Sequence, residues 1–108
     1  MKFVGSTNGG KKVAELCGKH MKRAAFELGG SDPFIVLEDA DLELASSKAI
    51  VGRLHTNGQA CNNSKRFLIH AKVYDEFVSK LLSKLHQYVK IGDPMDAATT
   101  IGPLSMKQ

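Results

Sequence analysis

Arg23-Ala24-Ala25-Phe26-Glu27-Leu28-Gly29-Gly30-Ser31-Asp32-Pro33-Phe34-Ile35-Val36-Leu37 is the stretch whose reading decides the fold. Arg23 to Leu28 has the apolar content of a strand. Gly29 to Pro33 stops it with residues that permit unusual backbone angles and a proline that lacks the N–H for continued pairing. Phe34 to Leu37 then resumes as a second strand, apolar throughout, and is expected to be buried on both faces.

Working outward toward the amino end, Lys2 to Val4 reads as a short strand running into the side-chain-poor turn Gly5-Ser6-Thr7-Asn8-Gly9-Gly10. Asn8 to His20 follows as a helix with Val13, Leu16 and Cys17 on one side. Toward the carboxyl end, Asp39 or Asp41 can cap a helix whose stripe is Leu42, Ala45, Ala49 and Ile50. That helix is expected to fade before the turn dipeptide Asn57-Gly58. Phe67 to His70 reads as a strand. Val73 to Val89 is the clearest helix, since Val73, Phe77, Leu81, Leu85 and Val89 recur every four residues. Gly92-Asp93-Pro94 ends it, and Met95 to Gln108 has turn residues without a period. The order strand, helix, strand, strand, helix, strand, helix is α/β, although the elements do not suggest a familiar small fold with its own crossovers.

Composition excludes little. A chain of 108 residues buries roughly 65% of its unfolded surface by the size scaling, so its core is modest. The formal net charge of +4 comes from basic residues spread along the chain in short pairs such as Lys11-Lys12 and Lys65-Arg66. Phosphate recognition needs such charges clustered on one face, so no nucleic-acid partner is expected. Cys17 and Cys61 are too few for a disulfide framework, and neither they nor the four histidines show metal spacing. A reduced, cytoplasmic setting fits these cysteines. No apolar run approaches the roughly 20 residues needed to span a bilayer and no secretory signal is visible, so no membrane partner is expected.

Three local features bear on chemistry. Cys61 follows Asn57-Gly58-Gln59-Ala60, a small-residue turn where a substrate can approach the backbone closely, and a thiolate is the nucleophilic form of the side chain. By itself it reads as a buried cysteine serving as a small hydrophobe. Glu27 ends an apolar strand beside a double glycine, where partial desolvation would suit a general base. By itself it reads as an edge glutamate facing water. The turn Gly5 to Gly10 lies between a strand and a helix start, where backbone N–H groups collect an anion such as a pyrophosphate, but its spacing is neither a Rossmann fingerprint nor a P-loop.

The joint pattern is more specific than its parts. Phe3-Val4-Gly5-Ser6-Thr7 with Gly10, Phe26 to Leu37, Asn57-Gly58-Gln59-Ala60-Cys61, Gly92-Asp93-Pro94 and Ile101-Gly102-Pro103-Leu104 together resemble the aldehyde dehydrogenase superfamily, in order and at family spacing. Leu28 to Phe34 with Gly58 to Asn62 looks most like its succinate-semialdehyde dehydrogenase branch. The resemblance implies an internal piece of that fold, with residues 1–29 the end of the Rossmann-like NAD(P)-binding domain and residues 30–108 the start of the α/β catalytic domain. It implies that Cys61 is the nucleophile and Glu27 the general base. Gly5, Ser6 and Gly10 would meet the cofactor pyrophosphate, Leu28 and Gly29 would lie beside the nicotinamide, and the cofactor would be NAD or NADP. It further implies a small-molecule aldehyde substrate, no metal and a homo-oligomeric complete protein.

Some positions depart from that pattern. Val4 stands where the family usually has Thr, and Asn63 stands where some succinate-semialdehyde enzymes carry a second, redox-switching cysteine. The family's cofactor-gripping lysine and glutamate, its oxyanion-hole asparagine and its oligomerisation strands have no counterpart here, so the chain alone is expected to be inactive. The alternatives are a non-catalytic binding or scaffold remnant that pairs with a complementing fragment through exposed strand edges, and a cofactor-free thiol esterase.

Overall fold

The computed structural model describes residues 1–106, and the chain divides into two compact units, Met1–Gly30 and Ser31–Gln108. Each is built on the same motif, two parallel strands joined through a helix. The expectation that no small crossover unit is present is thereby corrected. The sequence hid both crossovers because the strands run only three to six residues, too short to show a period.

In the first unit β1 (Lys2–Val4) leads into α1 (Thr7–Lys19), and β2 (Ala25–Glu27) returns beside β1 with Phe3 opposite Phe26. Their rings meet edge to face with centroids 6.4 Å apart, a favoured aromatic geometry. Ser6 sets the start of α1: its Oγ accepts from the Gly9 N–H at 3.1 Å, satisfying one of the donors a helix start leaves open. Cys17 on α1 is buried.

In the second unit β3 (Asp32–Val36) and β4 (Ser64–Ile69) pair in parallel around α2 (Leu42–Leu54), and α3 (Tyr74–Tyr88) packs beside α2. Of the two candidate caps Asp41 serves, its carboxylate accepting from the N–H groups of Glu43 and Leu44 at 2.9 and 3.0 Å. Pro33 lies inside β3 rather than in the break before it. A register shift between Asp32 and Pro33 accommodates its missing N–H.

The core gathers Val36, Leu42, Ala49 and Phe77, with Phe34, Phe67, Ile69 and Leu81 packed around them. Only one face of the β3–β4 sheet is therefore covered. The strand read as buried on both sides has Ile35 61% and Leu37 60% exposed, beside Leu68 at 50%. Alternation is the cause: Phe34 and Val36 point to the helices, and Ile35, paired with Leu68, points away. A polar clasp closes the helix pair. Glu43 on α2 holds Lys80 at 3.2 Å and Lys84 at 2.5 Å on α3, and Lys84 also donates to the Ser47 hydroxyl.

Candidate active site

The candidate residues of the first unit collect where β1 and β2 end side by side, with Val4 opposite Glu27. The Gly5 N–H donates to the Glu27 carbonyl at 3.0 Å, tying the glycine turn to the strand that carries the carboxylate. Gly10 is buried beneath Leu28: a Cβ there would meet Leu28 Cδ2 at 2.7 Å. A Cβ on Gly5 or Gly9 would meet the Phe3 ring at 2.9 Å. The glycines thus let the chain lie close over two apolar side chains, Phe3 and Leu28. Glu27 and Gly29 are exposed. The partial desolvation expected of Glu27 is absent from this unit, because β2 is only three residues long and its register leaves that side chain outward.

The turn fits a pyrophosphate on its own chemistry. It adjoins the start of α1, whose first turn carries no acidic residue, so the positive end of the helix dipole faces outward uncompensated. Ser6 Oγ accepts from Gly9 and keeps its own O–H to donate.

Cys61 belongs to the second unit and is exposed, in contrast to buried Cys17. The local reading of Cys61 as a buried hydrophobe therefore fails. Past α2 the backbone enters the left-handed region for three residues, Thr56 and Asn57 at φ 53° and Gly58 at φ 74°. A bond from the Asn63 N–H to the Ala60 carbonyl at 3.2 Å then closes a turn with Cys61 in it. Among the described residues the Cys61 N–H donates to no acceptor, which leaves it for an oxyanion.

Three groups hold this turn in ways the sequence did not indicate. Lys65 Nζ donates to the carbonyls of Ala60 and Cys61 at 3.2 and 3.1 Å. Asn63 reaches back to the end of α2, its Nδ2 donating to the carbonyls of Arg53 and His55 at 2.8 and 2.9 Å. From the tail, the Gly102 N–H donates to Asn57 Oδ1 and the Ser105 N–H and hydroxyl donate to Gln59 Oε1 at 3.1 and 2.9 Å. Two motifs quoted separately, Asn57 to Cys61 and Ile101 to Leu104, are thus physically joined.

A cavity of about 650 Å³ in the first unit, lined by Met1, Val13, Leu16, Cys17, His20, Lys22 and Arg23, includes none of the candidate residues. Among the described residues no group of three or more His, Cys, Asp or Glu is placed to hold a metal ion, and no helix is long and apolar enough to cross a membrane.

The aldehyde dehydrogenase family profile matches residues 1–108. The chain belongs to the aldehyde dehydrogenase family. Among its curated relatives are an NADP(+) succinate-semialdehyde dehydrogenase of Mycobacterium tuberculosis, 45% identical over 98% of this chain and 23% of that protein, and one of Deinococcus radiodurans, 48% identical over 98% of this chain and 22% of that protein. A solved aldehyde dehydrogenase from Bacillus cereus, in its NAD+ complex, superposes with a TM-score of 0.89 at 40% identity over 98% of this chain and 21% of that one. A 3,6-anhydro-L-galactose dehydrogenase superposes at 0.87 with 41% identity over 94% of this chain and 21% of that one. The α/β arrangement is therefore that of part of an aldehyde dehydrogenase fold, and the chain spans less than a quarter of the length of these relatives.

Proposed function

We propose that the chain is the nucleophile-bearing segment of an NAD(P)-dependent aldehyde dehydrogenase acting on succinic semialdehyde. Residues 1–29 end its cofactor domain and residues 30–108 begin its catalytic domain. The observation that carries the reading is the exposed Cys61 in a closed turn, its own N–H without an acceptor among the described residues. The Cys61 thiolate attacks the aldehyde carbon, a C–S bond forms, and the carbonyl oxygen becomes an oxyanion that the Cys61 N–H stabilises. A bound NAD(P) would supply hydride-acceptor chemistry at this carbon, and Cys61 would keep the acyl group as its thioester. Glu27 takes a proton from water, the hydroxide adds to the thioester, and the C–S bond breaks to release the acid and restore the thiolate. Gly5, Ser6 and Gly10 would hold the cofactor pyrophosphate, and Leu28 and Gly29 would hold the nicotinamide end. The relatives named for NADP(+) favour that cofactor, and the homologue in complex with NAD+ keeps NAD open.

The test is a chimera in which this chain replaces the matching segment of a succinate-semialdehyde dehydrogenase. Cys61→Ala should abolish NADP reduction by more than a thousandfold, as loss of a nucleophile does. Glu27→Gln should keep one equivalent of rapid reduction and lose the steady state. A chimera whose turnover survives Cys61→Ala sinks the proposal. The 108-residue chain alone should reduce no NADP, because groups that act as a unit fail together when most are absent.

A further inference from the structure

We infer that Asn63 is a positioning residue for Cys61, an inference that rests on the nucleophile reading above. Asn63 is a polar side chain only 2% exposed, a placement that costs stability unless its hydrogen bonds are made. Two are made, both with Nδ2, to the Arg53 and His55 carbonyls. These carbonyls lie where α2 gives out, at an end that a helix leaves without internal donors. The backbone N–H of the same residue closes the turn on Ala60. Asn63 therefore joins both ends of the loop that carries Cys61, stapling the turn to the end of a packed helix beside the Arg53 guanidinium, which donates to the Gly58 carbonyl at 3.0 Å.

The remaining atom of that amide is informative. Asn63 Oδ1 is buried without a partner among the described residues, because two carbonyls demand the nitrogen and turn the oxygen away. The loop being held also contains Thr56 and Asn57 in the left-handed region, which non-glycine residues keep only when their surroundings over-determine it. The staple, with the Arg53 guanidinium on the Gly58 carbonyl, supplies that constraint from the helix side. A cysteine at position 63 has neither the reach nor the two donors.

The experiment uses the 108-residue chain labelled with 15N. In the unaltered protein the Asn63 side-chain amide protons should exchange at least a hundredfold slower than those of exposed Asn62. Exchange as fast as at Asn62 overturns the inference without any variant. Asn63→Leu keeps comparable volume and removes both donors. If Asn63 only fills space, residues 59–62 stay ordered in this variant. The inference requires their order parameters to fall from about 0.85 toward 0.6 or lower while those around Phe77 in α3 hold, with the Cys61 amide resonance displaced. Retained loop order overturns it, as does equal loss in α3, which would make Asn63 a residue of general stability. These readouts do not depend on catalysis. A chimera that keeps turnover after Cys61→Ala would remove the nucleophile reading and leave the staple standing, so the two failures are distinguishable.

Discussion

Gly10 and Gly18 sit eight residues apart on α1 and make opposite demands. The Cβ of an alanine at position 10 would lie 2.7 Å from Leu28, whereas at position 18 nothing lies within 4 Å. Gly18→Ala should raise the stability of the first unit by roughly 0.5–1 kcal/mol through helix propensity. Gly10→Ala gains the same propensity and loses about 1–3 kcal/mol to overpacking, so it should be net destabilising. Urea midpoints followed by α1 amide exchange check both, and equal shifts for the two variants would show that Leu28 does not press on Gly10. At this scale the sequence was a partial guide. Cys61 and Glu27 each read locally as structural, and only their shared motif context raised them to candidates. Asn63 was visible only as a missing cysteine, since nothing in a linear sequence shows that an amide ten residues beyond Arg53 folds back onto its carbonyl.

Between elements, α2 and α3 are joined by a clasp whose charges set a pH window. Hydrogen bonds from Lys84 and then Lys80 hold the Glu43 carboxyl below its ordinary value of 4.5. The hydrogen bond that Lys80 donates to Glu43, followed by the charge of that carboxylate, raises Lys80 above its ordinary value of 10.5. A depressed carboxyl contributes stability above its unfolded pKa and loses it as pH falls through the folded one. A raised lysine contributes below its unfolded pKa and loses it as pH rises through the folded one. The clasp should therefore weaken below about pH 4.5 and above about pH 10.5, and Glu43→Gln should flatten both limbs of a stability profile. The exposure of Glu43 keeps the effect small. Asp41→Ala should cost the second unit about 1 kcal/mol of cap energy, measured by urea titration. The elements themselves were largely legible: the four-residue recurrence announced α3, and acidic Asp39 and Asp41 announced a cap. The bare face of β3 was not, because Phe34 to Leu37 is apolar at every position and carries no alternation to say which side is covered.

For the molecule as a whole, the uncovered side of the second sheet matters most. Ile35, Leu37 and Leu68 present adjoining apolar surface, which favours association. Sedimentation should show mass rising with concentration, and Leu68→Lys should suppress it. A monomer at every concentration would count against any pairing through this face. Phe77→Ala, at a core residue 1% exposed, should cost roughly 3–5 kcal/mol, enough to unfold a unit with so small a core. Lastly, Asn57-Gly58 is the dipeptide most prone to spontaneous deamidation, in which the glycine nitrogen attacks the asparagine amide to form a succinimide. Here Asn57 Nδ2 donates to the Pro103 carbonyl and its Oδ1 accepts from Gly102. These contacts with the tail should slow succinimide formation in the loop before Cys61. Where that grip is lost, the chain acquires an isoaspartate beside its reactive turn and gives up one unit of its +4 charge, leaving a record of its age that ion-exchange chromatography can read.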